Sequence, residues 1–165
     1  MSGLKTSLKN RLEGATKIAV LGIGSLLRSD DAAGMLVAEE IEKRCGKANG
    51  KPEIKVFFGE TAPENLTGEI KKFDPTHLII VDSGDTGKNP GAITVIGPEE
   101  ETGVSFSTHQ LPTGIMIDYL LKFIKCQVTV IVIQPKILTF NHPPSKEVTG
   151  AVKALSSTLN QLLTP

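Results

Sequence analysis

Thr16-Lys17-Ile18-Ala19-Val20-Leu21-Gly22-Ile23-Gly24-Ser25-Leu26-Leu27-Arg28-Ser29-Asp30-Asp31 is the stretch that decides the fold. Its first eight residues are an apolar run that ends among glycines. A strand with one wet face would alternate apolar and polar residues. A continuous run reads as a strand buried on both faces. Ser29 and Asp30 then open a helix that runs to about Arg44. Gly34, Val37, Ala38 and Ile41 recur at i, i+3, i+4 and i+7 and mark its inner side. Strand, glycine turn and helix together make the first half of a βαβ unit.

The rest of the chain repeats the theme. Glu53–Phe58 reads as a second strand, and His77–Asp82 as a third, apolar until its last residue. Thr61-Ala62-Pro63-Glu64 fits a capping box for a helix through Phe73, ended by Asp74-Pro75. Asn89-Pro90-Gly91 is a turn before a short strand, Ala92–Ile96, and residues 99–107 read as a polar loop. Pro112–Ile124 is apolar on most sides and is expected to be a well-buried helix. Gln127–Gln134 is a fifth, buried strand. A last helix follows Pro143-Pro144-Ser145, with Val148, Val152, Leu155, Leu159 and Leu162 as its stripe. Leu4, Leu8 and Leu12 allow a leading helix or arm over residues 1–14. The order βαβαββαβα predicts a three-layer α/β/α sandwich around a mostly parallel sheet of about five strands. The strand after the short Asn89 turn is the expected antiparallel member.

Composition narrows the function classes. The 165 residues form one expected α/β domain, with 39% apolar and 22% charged residues. Eighteen basic side chains balance eighteen acidic ones, so whole-molecule attraction to nucleic acid or anionic lipid is not expected. Two distant cysteines, Cys45 and Cys126, argue against a disulfide scaffold, a cysteine zinc site and a cysteine nucleophile. The longest apolar run, Val128–Ile133, is too short to cross a bilayer, and the N-terminus lacks a signal-peptide pattern. The expectation is a cytoplasmic protein without membrane insertion.

Open α/β sheets place their sites at the carboxyl ends of the strands. Three polar segments can collect there: Gly24–Asp31 after the first strand, Asp82–Asp85 after the third, and Ser107–Gln110 before the penultimate helix. A dinucleotide site fits poorly, because Leu27 occupies the third glycine position of the fingerprint. Each residue also has an ordinary reading. Asp30 and Asp31 can be helix-start carboxylates, Asp82 can bond to loop amides, and His109 can be a loop histidine. His77, at the far end of its strand, and His142, in a proline loop, are read as structural. Taken together, one of Asp30 and Asp31, with Asp82 and His109, makes a set of two carboxylates and an imidazole suited to zinc, nickel or manganese.

These segments resemble those of a known family. Leu21–Gly34, Val81–Gly91 and Ser107–Pro112 resemble, in that order, the three motifs of the NiFe hydrogenase maturation proteases. Gly59–Asn65 and Ile133-Gln134-Pro135 also look like family segments. Ser25 stands where the family usually has asparagine, and Asp31 where it has glutamate or aspartate. The resemblance implies a narrow-specificity endopeptidase that trims the C-terminal extension of the nickel-loaded hydrogenase large-subunit precursor. It implies Asp31, Asp82 and His109 as catalytic, nickel-contacting residues, with Gly24, Ser25, Asp30 and Gly84 as substrate contacts. Nickel would arrive with the precursor. The resting enzyme, expected to be a monomer, would be metal-free or hold a surrogate ion such as zinc or cadmium. The alternatives are a catalytically silent nickel-checkpoint protein and a generic metal-dependent hydrolase.

Overall fold

The computed structural model describes residues 2–45, 50–97 and 113–164. Five strands form one sheet: β1 (Lys17–Ile23), β2 (Glu53–Glu60), β3 (His77–Ser83), β4 (Ile93–Ile96) and β5 (Gln127–Ile133). Their spatial order is β2-β1-β3-β5-β4. All neighbours are parallel except β4, which runs antiparallel to β5 with Ile93 opposite Ile133. The sheet class and its odd strand are those the sequence predicts.

Five helices cover the sheet: α1 (Ser2–Arg11), α2 (Ala33–Cys45), α3 (Thr67–Phe73), α4 (Thr113–Leu121) and α5 (Lys146–Leu163). Alternation along the strands sends side chains to two separate cores. Ile18, Val20, Ile79, Val81, Ile131 and Ile133 meet α1, α2 and α5 on one side. Ala19, Leu21, Leu78, Ile80, Val130 and Val132 meet α3 and α4 on the other. Ile79 and Ile80 are both fully buried, one on each face. Each such side chain contributes about 1.5–3 kcal/mol, so β3 anchors both outer layers.

Three local expectations change. The helix opened by Ser29 begins as a 3-10 turn, Ser29–Ala32, and becomes α-helical only at Ala33. The capping box at Thr61 does not form: a 3-10 turn, Pro63–Leu66, follows Ala62 without a side-chain cap, and α3 starts after it. Helix α4 is not buried all round. Met116, Ile117 and Leu120 face the sheet, while Ile115, Tyr119 and Leu121 are exposed. One helix resting on a sheet buries one stripe, whatever its composition. In α5 the stripe ends on buried Leu163, with Leu162 half-buried beside it. The polar loop expected over residues 99–107 lies outside the described residues.

Candidate functional site

Strands β1 and β3 are neighbours, yet the chain visits β2, on the far side of β1, between them. This reversal leaves a crevice beyond the carboxyl ends of β1 and β3, where α/β sheets bind their ligands. Two aspartates stand at it. Asp82 is the penultimate residue of β3, and Asp31 lies in the 3-10 turn that follows β1 and packs on β3.

Glycines let α2 and the turn before it lie close on the strand ends. A Cβ on Gly34 would overlap the carbonyl oxygens of both Ile23 and Val81, so α2 starts directly above the ends of β1 and β3. A Cβ on Gly22 would lie 2.5 Å from the Gly34 carbonyl oxygen and 2.6 Å from Ala38 Cβ. Gly24 has φ +137°, and a Cβ there would overlap the Asp31 carbonyl oxygen. The turn therefore folds Asp31 back over Gly24. The Ser25 amide donates to Asp31 Oδ2 at 2.9 Å and fixes that carboxylate. The Ser83 amide donates to Asp82 Oδ1 at 2.7 Å. Both aspartates are buried. Two buried carboxylates, one at the end of β3 and one in the turn that packs on it, favour a cation, which offsets the cost of their desolvation.

The other sequence candidates fare differently. Asp30 is 0% exposed. Its carboxylate accepts from the amides of Lys136 (2.8 Å), Ile137 (3.0 Å) and Ser145 (2.6 Å) and from Ser145 Oγ (2.9 Å). The sequence reading of Asp30 as a substrate contact meets a carboxylate whose oxygens are engaged within the fold, and it does not cap its own helix. Asp30 fastens the β5–α5 connection to the turn that carries Asp31. The Gly24 amide donates to Glu60 O at 2.8 Å and the Gly84 amide to Ile133 O at 3.2 Å, so both are committed within the fold. Ser25 is half-buried at the rim. His109 lies outside the described residues, and among the described residues no three His, Cys, Asp or Glu side chains gather to hold a metal.

Sequence reasoning assigned no role to Gln134, Arg28 and Ser145. Gln134 Oε1 accepts from Thr86 N and Oγ1 at 2.7 and 2.9 Å, and its Nε2 donates to Asp85 Oδ1 at 3.3 Å. It thereby holds the loop that follows Asp82. Arg28 Nε donates to Leu138 O at 2.9 Å. The visible signal was a glutamine ending an apolar strand, since a polar group there needs a built partner.

Thiol chemistry is absent from the crevice. Burial, then the nearby Asp74, pushes the Cys126 thiol up to about 12, and burial also raises Cys45. His77 begins β3, at the opposite end from Asp82, and burial lowers its pKa. His142 is exposed in the loop before α5.

Comparison with known proteins gives this geometry a family. The family model of hydrogenase maturation proteases matches residues 35–162. The chain belongs to the hydrogenase maturation protease family. The hydrogenase 3 maturation protease of Escherichia coli K12 is 36% identical over 137 residues, 82% of this chain and 84% of that protein. The crystal structure of a NiFe hydrogenase maturation protease from Thermococcus kodakarensis superposes with a TM-score of 0.86 at 27% identity, covering 96% and 99% of the two chains. A solution structure of an Escherichia coli endopeptidase of the family gives 0.73 at 33% identity, covering 88% and 90%. As a member of that family, this maturation protease is a hydrolase. Among its described residues no helix is long and apolar enough to cross a membrane.

Proposed function

We propose that this maturation protease removes a short C-terminal extension from the large-subunit precursor of a NiFe hydrogenase, once nickel has been inserted into that precursor. The observation that supports this most directly is the pair of buried carboxylates at the switch point, Asp82 near the end of β3 and Asp31 in the turn that packs on it. In a protein-processing family such a pair suits a cation presented by the substrate.

In this reading nickel belongs to the substrate. Asp31, Asp82 and His109 offer an incomplete ligand set, and the precursor's nickel completes it. Cleavage then depends on a contact that an unloaded precursor lacks, which is selection by a required interaction. The captured ion orients the peptide beside the carboxylates and stabilises negative charge on the scissile carbonyl. The resting enzyme holds no nickel of its own, and zinc or cadmium would occupy the same ligands as surrogates. It acts as a monomer in the cytoplasm. Its two cysteines form no disulfide, consistent with a reducing compartment.

The test is a processing assay on nickel-loaded and nickel-free precursor, read by mass at its C-terminus. Loss of the extension from the loaded form alone is expected. Equal cleavage of both forms would remove nickel from recognition. Intact mass with a verified loaded precursor would overturn the reading.

A further inference from the structure

Two loops beside the crevice present an apolar surface. Leu26 and Leu27 follow β1, and Ile137 and Phe140 follow β5. All four are exposed, Leu27 to 68% and Phe140 to 62%. Single exposed apolar side chains are ordinary. These four are not scattered, because the two loops are stitched together along their length. Arg28 Nε donates to Leu138 O, Ser29 Oγ to Thr139 O, and the Asn141 amide to Leu27 O. Asp30 accepts the Lys136 and Ile137 amides, and its own amide donates to Ile137 O. The Arg28 guanidinium sits 5.5 Å from the Phe140 ring centre and braces it.

We propose that this two-loop platform docks the folded body of the hydrogenase large-subunit precursor, outside the segment that is cut; the proposal rests on the precursor-processing reading. Continuity with the crevice supports this occupant. The turn that carries Leu26 and Leu27 also carries Ser25, whose amide holds Asp31. A body seated on the platform therefore lies directly beside the carboxylates. A second copy of the chain in the same place would obstruct them. The composition suits a protein partner, with apolar side chains and an arginine stacked on an aromatic ring. Backbone bonds already hold both loops, so docking loses little conformational freedom.

The experiment is steady-state processing of nickel-loaded precursor by Leu27→Ser, Phe140→Ser and the double variant. Phe123→Ser, beyond the end of α4, is the control. Circular dichroism melting verifies folding. The double variant should raise KM at least tenfold with kcat within twofold of the parent, and Phe123→Ser should leave KM unchanged. An unchanged KM in the double variant, a fall in kcat alone, or an equal rise for Phe123→Ser would overturn the platform. A parent protein that dimerises in sedimentation, and a Phe140→Ser variant that does not, would assign the face to self-association and overturn it too. Failure of the parent to process loaded precursor would instead overturn the underlying functional reading.

Discussion

Asp30 and Asp31 are adjacent in sequence and opposite in task. Asp30 gives both carboxylate oxygens to four donors of the β5–α5 connection. Asp31 keeps its carboxylate at the crevice, steadied by the Ser25 amide. Substitution should separate them. Asp30→Ala leaves buried amides and a hydroxyl without their acceptor and should cost about 3 kcal/mol or more in urea unfolding. Asp31→Asn should abolish precursor processing and shift the same unfolding curve by less than about 1 kcal/mol. If Asp31→Asn retained processing, Asp31 would be excluded from the proposed catalytic set. Cysteine chemistry gives a second prediction at this scale. With the Cys126 thiol pushed up to about 12, iodoacetamide at neutral pH should leave processing unchanged.

At the scale of elements, the seating of α2 governs the site. Gly34 lies against the carbonyls of Ile23 and Val81, and Gly22 lies beneath Gly34 and Ala38. Gly34→Ala must lift the helix start from both strand ends, so it should destabilise by about 3 kcal/mol or more, measurable as a lower melting temperature. Ser145 caps α5 by accepting from the Val148 amide at 3.3 Å while donating to Asp30. Ser145→Ala should cost about 1–2 kcal/mol, with processing preserved below the melting transition. Much of this scale was legible in sequence. Unbroken apolar strands and the Asn89 turn gave the layers and the antiparallel strand, because burial on two faces leaves a composition that burial on one does not. The inner face of α2 followed from its spacing. The position of the crevice, beyond the ends of β1 and β3, could be anticipated from the switch-point rule. The Asp30 clamp could not, because its donors lie more than 100 positions away and are mostly backbone amides that any residue supplies. The α4 expectation failed for a related reason: composition reports apolar side chains, but not how many sides of a helix have neighbours.

At the scale of the whole molecule, His77 sets a pH dependence. Burial holds its pKa below the ordinary 6.5. The unfolded chain therefore binds a proton that the folded chain resists. Above about 6.5 both states are neutral and the histidine is without effect; below it, stability falls until the folded pKa is reached. Urea unfolding should show this decline as the pH falls below about 6.5, and His77→Gln should flatten it. An unchanged slope in His77→Gln would assign the acid sensitivity elsewhere.

The order in which the sheet is assembled bears on the life of the chain before release from the ribosome. The strands β2, β1 and β3 emerge first and can pair, but β3 waits with an open edge until β5 arrives between it and β4. The carboxylate of Asp30 likewise waits for residues 136 to 145. A nascent protease therefore carries an adhesive strand edge from the completion of β3 until β5 arrives, and a buried-to-be charge for longer. The turn that carries Asp31 gains this clamp only once residues 136 to 145 have emerged, so a chain interrupted before them leaves the turn unfastened.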